Sequence, residues 1–276
     1  MKSKSLFLGL IFFLILLILV SGFFVFRYFY QAEGADNAFS DVEQMVKLPS
    51  RPQFDFVREE ANLDVTTECN EINSETVEID QTDLMTDYED PEAQLASEAY
   101  SDIYEANPDF VGWVQIPDTK LNYPVMQTVK DPQYYLDRDF EKNYSAYGVP
   151  FMDAHCKLGK SNNIIIYGHN MKNGSMFHTL VNYRSESYYK EYSTIYFDTL
   201  SDFGEYEIIA AFSMDVKQDL FRYNQYNNMD EERFNQFLSE IESRSYYDTG
   251  VTAAYGDELL TLSTCEYTHH NGRLWL

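Results

Sequence analysis

Cysteine is scarce in this chain: three residues in 276, at Cys69, Cys156 and Cys265. So odd and sparse a set argues against a disulfide framework and leaves room for a free thiol. Positive charge is scarce too, with 20 Lys and Arg against 45 Asp and Glu and a net charge of −25. Nucleic acid is therefore not an expected partner, because neutralising phosphates needs a basic surface. Histidine is limited to five residues. A zinc site built on Cys265, His269 and His270 would lack a fourth ligand at usable spacing. No metal or other cofactor is expected.

The charge deficit is concentrated. Between Glu33 and Asp109 there are 22 acids and three bases, Lys47, Arg51 and Arg58. Residues 27–89 are acidic, polar and broken by Pro49 and Pro52. Such a segment cannot bury enough surface to fold alone, and its like charges extend it. It reads as a linker. Before it, residues 5–26 form an apolar run without charge or proline. A run of about 20 apolar residues is long enough to span a bilayer. Lys2 and Lys4 precede it, and Arg27, Glu33 and Asp36 follow, which favours a cytoplasmic N-terminus. The alternative is a cleaved signal peptide, whose apolar core is usually about 7–15 residues and ends at a small-x-small site. The expected organisation is a cytoplasmic N-terminus at 1–4, a transmembrane signal anchor at 5–26, an acidic extracellular linker at 27–89 and a folded extracellular domain at 90–276. The expected location is the cell membrane, crossed once.

Aromatics are abundant, with 23 Tyr and 20 Phe. They supply large buried area for core and cleft walls. Asp90-Pro91-Glu92 reads as a helix start, and Leu95, Ala96, Ala99, Tyr100 and Ile103 recur at helical spacing up to Asn107-Pro108. Short strands are expected at 111–116, 121–126, 148–152, 163–167, 193–197, 206–212 and 259–262. The strand at 163–167 holds Ile164-Ile165-Ile166 and is expected to be buried on both faces. Between the later strands, Phe234, Phe237, Leu238 and Ile241 mark a long helix at 230–243, with Asp230, Glu231 and Glu232 at its start. The fold class is mainly β with helices, a mixed-strand barrel with helical decoration.

Three residues carry candidate chemistry. Cys265 ends an apolar run, where a strand terminus would put its sulfur at a rim. His169 follows the buried strand through Gly168. Arg273 follows the turn dipeptide Asn271-Gly272, so 266–272 reads as a loop joining two neighbouring strands, with Arg273 beside Cys265 if they pair. A thiolate, an imidazole and a guanidinium together suit acyl transfer: attack on a carbonyl, proton movement and support of an oxyanion. A neighbouring cation favours the thiolate. Each residue also has a plain reading, His169 as an ordinary polar residue and Arg273 as a surface cation. His178 reads as part of a short helix, and His269 and His270 as loop residues. Cys156 follows His155, but a small buried structural residue is the simpler account.

Taken together, these segments resemble the sortase family, class B in particular. The resemblance runs from about Asn107 to Leu276. It rests on Gly112-Trp113-Val114-Gln115-Ile116-Pro117, Asn122-Tyr123-Pro124-Val125-Met126-Gln127, Tyr134-Tyr135-Leu136 and Gly148-Val149-Pro150-Phe151-Met152-Asp153. It continues through Tyr167-Gly168-His169-Asn170-Met171, Thr261-Leu262-Ser263-Thr264-Cys265 and Gly272-Arg273-Leu274. The order and spacing of these blocks carry the specificity.

The resemblance implies an eight-stranded sortase-type barrel with an N-terminal helix and a long helix between late strands. It implies a transpeptidase acting on secreted proteins that bear a C-terminal sorting signal. Cys265 would attack the Thr carbonyl of that signal and form a thioacyl-enzyme. His169 would serve as general acid and then base, and Arg273 would bind the substrate backbone or the oxyanion. Ser263 and Thr264 would contact the signal. The acceptor would be an amine of a peptidoglycan precursor (lipid II). A pilin lysine is the alternative acceptor, water would give a hydrolase, and a non-enzymatic surface-displayed binding domain is the remaining reading. One departure stands out: only Leu274-Trp275-Leu276 follow Arg273, where the strand of relatives continues. Either the strand is truncated or Trp275 packs over the gap.

Overall fold

The structure is a computed structural model that describes residues 2–47, 91–217, 219–266 and 272–276. A long helix α1 (Lys2–Glu43) comes first. It outlasts the apolar run, so residues 27–43, expected as linker, are helical. The reason lies in Phe39 and Val42, one turn apart, which bury to 9% and 3% exposure against the domain. Just beyond, Lys47 N donates to Ala99 O and Lys47 Nζ pairs with Asp102. The remaining expected linker, residues 48–89, lies outside the described residues. Counted over the described residues, no helix is long and apolar enough to cross a membrane.

Helix α2 (Pro91–Ala106) opens on proline, whose fixed φ suits the first helical turn. Ala96, Ala99, Tyr100 and Ile103 face inward, while Leu95 is exposed. Strands β1 (Phe110–Gln115), β2 (Asn122–Met126), β3 (Phe151–Met152) and β4 (Asn163–Gly168) follow. After a 3-10 segment (Phe177–Arg184) and a short α3 (Glu186–Glu191) come β5 (Thr194–Asp198), β6 (Phe203–Glu207) and β7 (Phe212–Asp215). Helix α4 (Glu231–Arg244) precedes β8 (Leu259–Glu266) and β9 (Gly272–Trp275). Asp230 caps α4 by accepting from Arg233 N at 2.9 Å, and Phe234, Phe237 and Leu238 bury its apolar face.

Among the described residues all strands belong to one sheet, ordered β6-β5-β1-β2-β3-β4-β8-β9-β7. The expected class holds, with nine strands among those residues where the resemblance implied eight, the two-residue β3 being one of them. The single strand expected at 206–212 is two: β6 pairs with β5 and β7 with β9. These are opposite edges of the sheet, yet only residues 208–211 join them. Eight inter-strand steps of about 4.8 Å would separate the edges of a flat sheet by about 38 Å. Five residue steps reach about 18 Å at most. The sheet therefore curls toward closure, and Ile208, Ala210 and Ala211 are apolar because they bury along that crossing.

The parallel pair β4–β8 lies inside the sheet, away from both edges. Ile164, Ile165, Ile166 and Leu262 are all below 5% exposure, the unbroken apolar texture of strands covered on both faces. On the last strand Trp275 is 1% exposed and stacks near Phe212 at 6.3 Å. Leu276 and Leu262 exchange both backbone hydrogen bonds, at 2.9 and 3.1 Å.

Candidate active site

Strand register brings the three candidate residues to one rim. The β4–β8 ladder runs from Asn163 opposite Leu259 to Gly168 opposite Thr264. His169 leaves β4 immediately after Gly168, and Cys265 follows Thr264 on β8. The antiparallel β8–β9 ladder then sets Cys265 opposite Arg273. Directly opposed residues in such a ladder occupy one face of the sheet. The expected pairing of the strands around loop 266–272 is thus present. The Cys265 side chain lies outside the described residues, as do Cys69, His269 and His270.

Gly168 is required by packing: a Cβ there would lie 2.5 Å from the Phe177 ring. Phe177 N donates to His169 O at 2.8 Å, so the ring that fills the space over Gly168 also ties down the next residue. The His169 imidazole is half-buried, with Nε2 2.7 Å from Leu136 O. Arg273 is half-buried, and its Nη1 donates to Gly272 O at 3.2 Å.

Beside the rim opens a cleft of about 360 Å³, lined among others by Leu136, Asp153, Tyr167, His169, Tyr223 and Arg273. Ser263 and Thr264 also line it and are almost fully buried. The Thr264 hydroxyl donates to Gly168 O at 2.8 Å, which fastens β8 to the end of β4. Ser263 Oγ lies beside the Tyr223 phenol and closes no well-aligned hydrogen bond among the described residues.

Asp153, Tyr167 and Tyr223 were not singled out from the sequence as site residues. Tyr167 Oη donates to Asp153 Oδ2 at 2.8 Å, and the Tyr223 ring lies 6.4 Å from that of Tyr167. Burial pushes the Tyr167 phenol well above the ordinary tyrosine range, with Tyr223 and the Asp153 carboxylate adding to the rise. Tyr167 is therefore a neutral hydroxyl at any physiological pH. Burial also raises Tyr223, against the lowering influence of Tyr167 and of the Arg273 cation. These two rings line the same cleft as Arg273, and the guanidinium is close enough to act on the Tyr223 phenol. Their only sequence signal was the Tyr167-Gly168-His169 run; Tyr223 stands in a connection with no spacing to any motif. Another pocket of about 280 Å³ shares Tyr223 with the cleft but holds none of the three candidate residues.

His155 and Cys156 do not form a dyad. The His155 imidazole is 78% exposed and pairs with Asp153 at 2.9 Å, whereas Cys156 is 1% exposed with Sγ 3.5 Å from Asn163 O. Burial pushes the Cys156 thiol up to about 11. Thiolate is the reacting form, so iodoacetamide at pH 8 should leave Cys156 unmodified in the folded protein and label it after denaturation. In a Cys69→Ala background the folded protein should carry its label at Cys265. A peptide map showing a Cys156 adduct in the native protein would refute this. His178 Nδ1 lies 2.7 Å from Asn170 Oδ1, away from the cleft lining.

A sortase domain profile matches residues 114–275, more than half of the chain. Sortase B of Staphylococcus aureus is 34% identical over 170 residues, covering 60% of this chain and 67% of that protein. Sortase B of Listeria monocytogenes is 32% identical over 176 residues, covering 63% and 70%. A solved S. aureus sortase B–substrate complex superposes with a TM-score of 0.58 at 30% identity, covering 64% of this chain and 82% of that one. The matched region runs from the end of β1 through β9 and contains His169, Cys265 and Arg273. The chain belongs to the sortase family, as a class B cysteine transpeptidase.

Proposed function

We propose that this transpeptidase cleaves a C-terminal sorting signal of secreted proteins after Thr and joins the new carboxyl to an amine of a peptidoglycan precursor, lipid II. The observation that supports this most directly is the register that puts Cys265 opposite Arg273 and His169 one residue beyond the partner of Thr264. In the first step the Cys265 thiolate adds to the Thr carbonyl carbon. The Arg273 guanidinium steadies the negative oxygen or the adjoining substrate backbone. His169 gives its proton to the departing amine nitrogen, the C–N bond breaks, and a thioester remains. In the second step the acceptor amine adds to the thioester carbonyl, His169 takes up its proton, and the C–S bond breaks to return the thiolate. Ser263 and Thr264, beside the cysteine, line the groove that takes the signal. A sortase B of S. aureus has been solved as a substrate complex, which supports a substrate-binding role for the related domain of this chain.

The proposal includes a membrane anchor at 5–26. Phe12, Ile18 and Phe26 on α1 are each about 70% exposed, and apolar surface of that kind is favourable in hydrocarbon rather than water. Lys2 and Lys4 ahead of the run support a cytoplasmic N-terminus with the catalytic domain outside.

The test is mass spectrometry of the purified chain with candidate sorting-signal peptides, with and without a glycine-rich amine. A thioester adduct on Cys265 that converts to an amine-joined product is the expected result. A product joined only through a pilin-type lysine peptide would replace the wall precursor with a pilin acceptor. Hydrolysed peptide alone, with every amine supplied, would refute the transfer step.

A further inference from the structure

The loop after His169 is held in a conformation that its own sequence resists. Met176 has φ +56° and ψ −135°, a region that glycine tolerates and side-chain-bearing residues avoid. Such a turn persists only where the surroundings over-determine it. Three contacts do so here. Asn170 and Met176 form an isolated bridge, Phe177 N donates to His169 O, and Met176 N donates to Tyr123 Oη at 2.9 Å. The last of these comes from outside the loop, and both partners are buried.

Tyr123 is itself seated from behind. Its ring meets that of Phe39 edge to face, with centroids 5.0 Å apart. The preceding residue, Asn122, donates to Glu43 Oε1 at 2.7 Å. Phe39 and Glu43 belong to the last two turns of α1, and together with Asn173 and Ser175 of the loop they line one surface depression. A continuous series of contacts thus runs from α1 through Tyr123 and Met176 to Phe177 and His169.

We propose that Tyr123, held by Phe39 of α1, is a positioning residue for the His169 imidazole. Its hydroxyl stabilises the strained Met176 turn, and that turn sets the Phe177 ring over Gly168 and the Phe177–His169 backbone bond. The proposal rests on His169 acting as the acid–base residue. It assigns the end of α1 a part in catalysis rather than in tethering alone.

The experiment uses the full chain in detergent micelles and compares Tyr123→Phe, Phe39→Ala and Phe39→Leu with the parent and with His169→Ala. Tyr123→Phe keeps the ring and removes the hydroxyl that accepts from Met176 N. A small displacement of a catalytic group is enough to cost one to two orders of magnitude. Tyr123→Phe should lower kcat about tenfold with KM for the donor peptide unchanged. It should also move the NMR signals of the His169 ring. Phe39→Ala should act in the same direction, and Phe39→Leu should restore most of the rate by refilling the contact. If Tyr123→Phe is too unstable to assay, Phe39→Ala gives the same reading from the surface helix. Unchanged kcat and unmoved His169 signals, with or without a lower Tm, would overturn the inference and leave Tyr123 a structural residue. An active His169→Ala would instead overturn the acid–base assignment on which it depends.

Discussion

Cys265→Ala is expected to abolish turnover, by at least about 10⁴-fold, while the protein stays folded. Covalent catalysis has no substitute when the nucleophile is lost, and whatever binding the cleft retains cannot form a thioester. The fold should tolerate the change because the backbone at this position is held on both sides, by the β4–β8 register up to Thr264 and by the pairing with Arg273. Leu262 and Trp275, which anchor the same two strands in the core, are untouched. The measurements are donor-peptide turnover and thermal unfolding on the same preparation. Turnover within tenfold of the parent would remove Cys265 from the nucleophile role and revive the reading of a non-enzymatic binding domain.

His169→Ala is expected to lower kcat by about 10²–10⁴-fold, the range of general acid–base catalysis by a positioned side chain. A peptide nitrogen leaves poorly unless protonated, so losing the imidazole slows thioester formation first. The role has a specific signature. A donor in which the scissile amide is replaced by an activated ester expels a leaving group that needs no proton. On that substrate the acylation defect of His169→Ala should shrink by at least about tenfold. An equal defect on amide and ester would mean that His169 shapes the rim, through its contact with Leu136 O, rather than moving protons.

The parts of this site that could be read from the sequence were those tied to strand ends. Ile164-Ile165-Ile166 announced a doubly covered strand, and Gly168-His169 and Thr264-Cys265 marked where two such strands stop. The Asn271-Gly272 dipeptide suggested the return that places Arg273 opposite Cys265. The cleft walls were illegible for a physical reason. Asp153, Tyr167, Tyr223 and Leu136 come from separate segments of the chain, and only the curl of the sheet brings them together. The segment 27–43 was misread because net charge and polarity dominated the reading. Phe39 and Val42 are spaced as neighbours on one helix face, and that pattern was the better guide. The run 206–212 was misread for a related reason: apolar texture signals burial, and here the buried backbone is a crossing between sheet edges rather than one strand.

The β4–β8 ladder also fixes when the site can come into being. Gly168 and Thr264 are neighbours in space but about a hundred residues apart along the chain. Closing so long a loop is a slow entropic step, repaid only when the whole ladder zips. The histidine half of the rim is synthesised long before the cysteine half. On the proposed assignment, a nascent or partly refolded chain carries the imidazole with no thiol beside it, so thioester formation waits for the β4–β8 ladder to close.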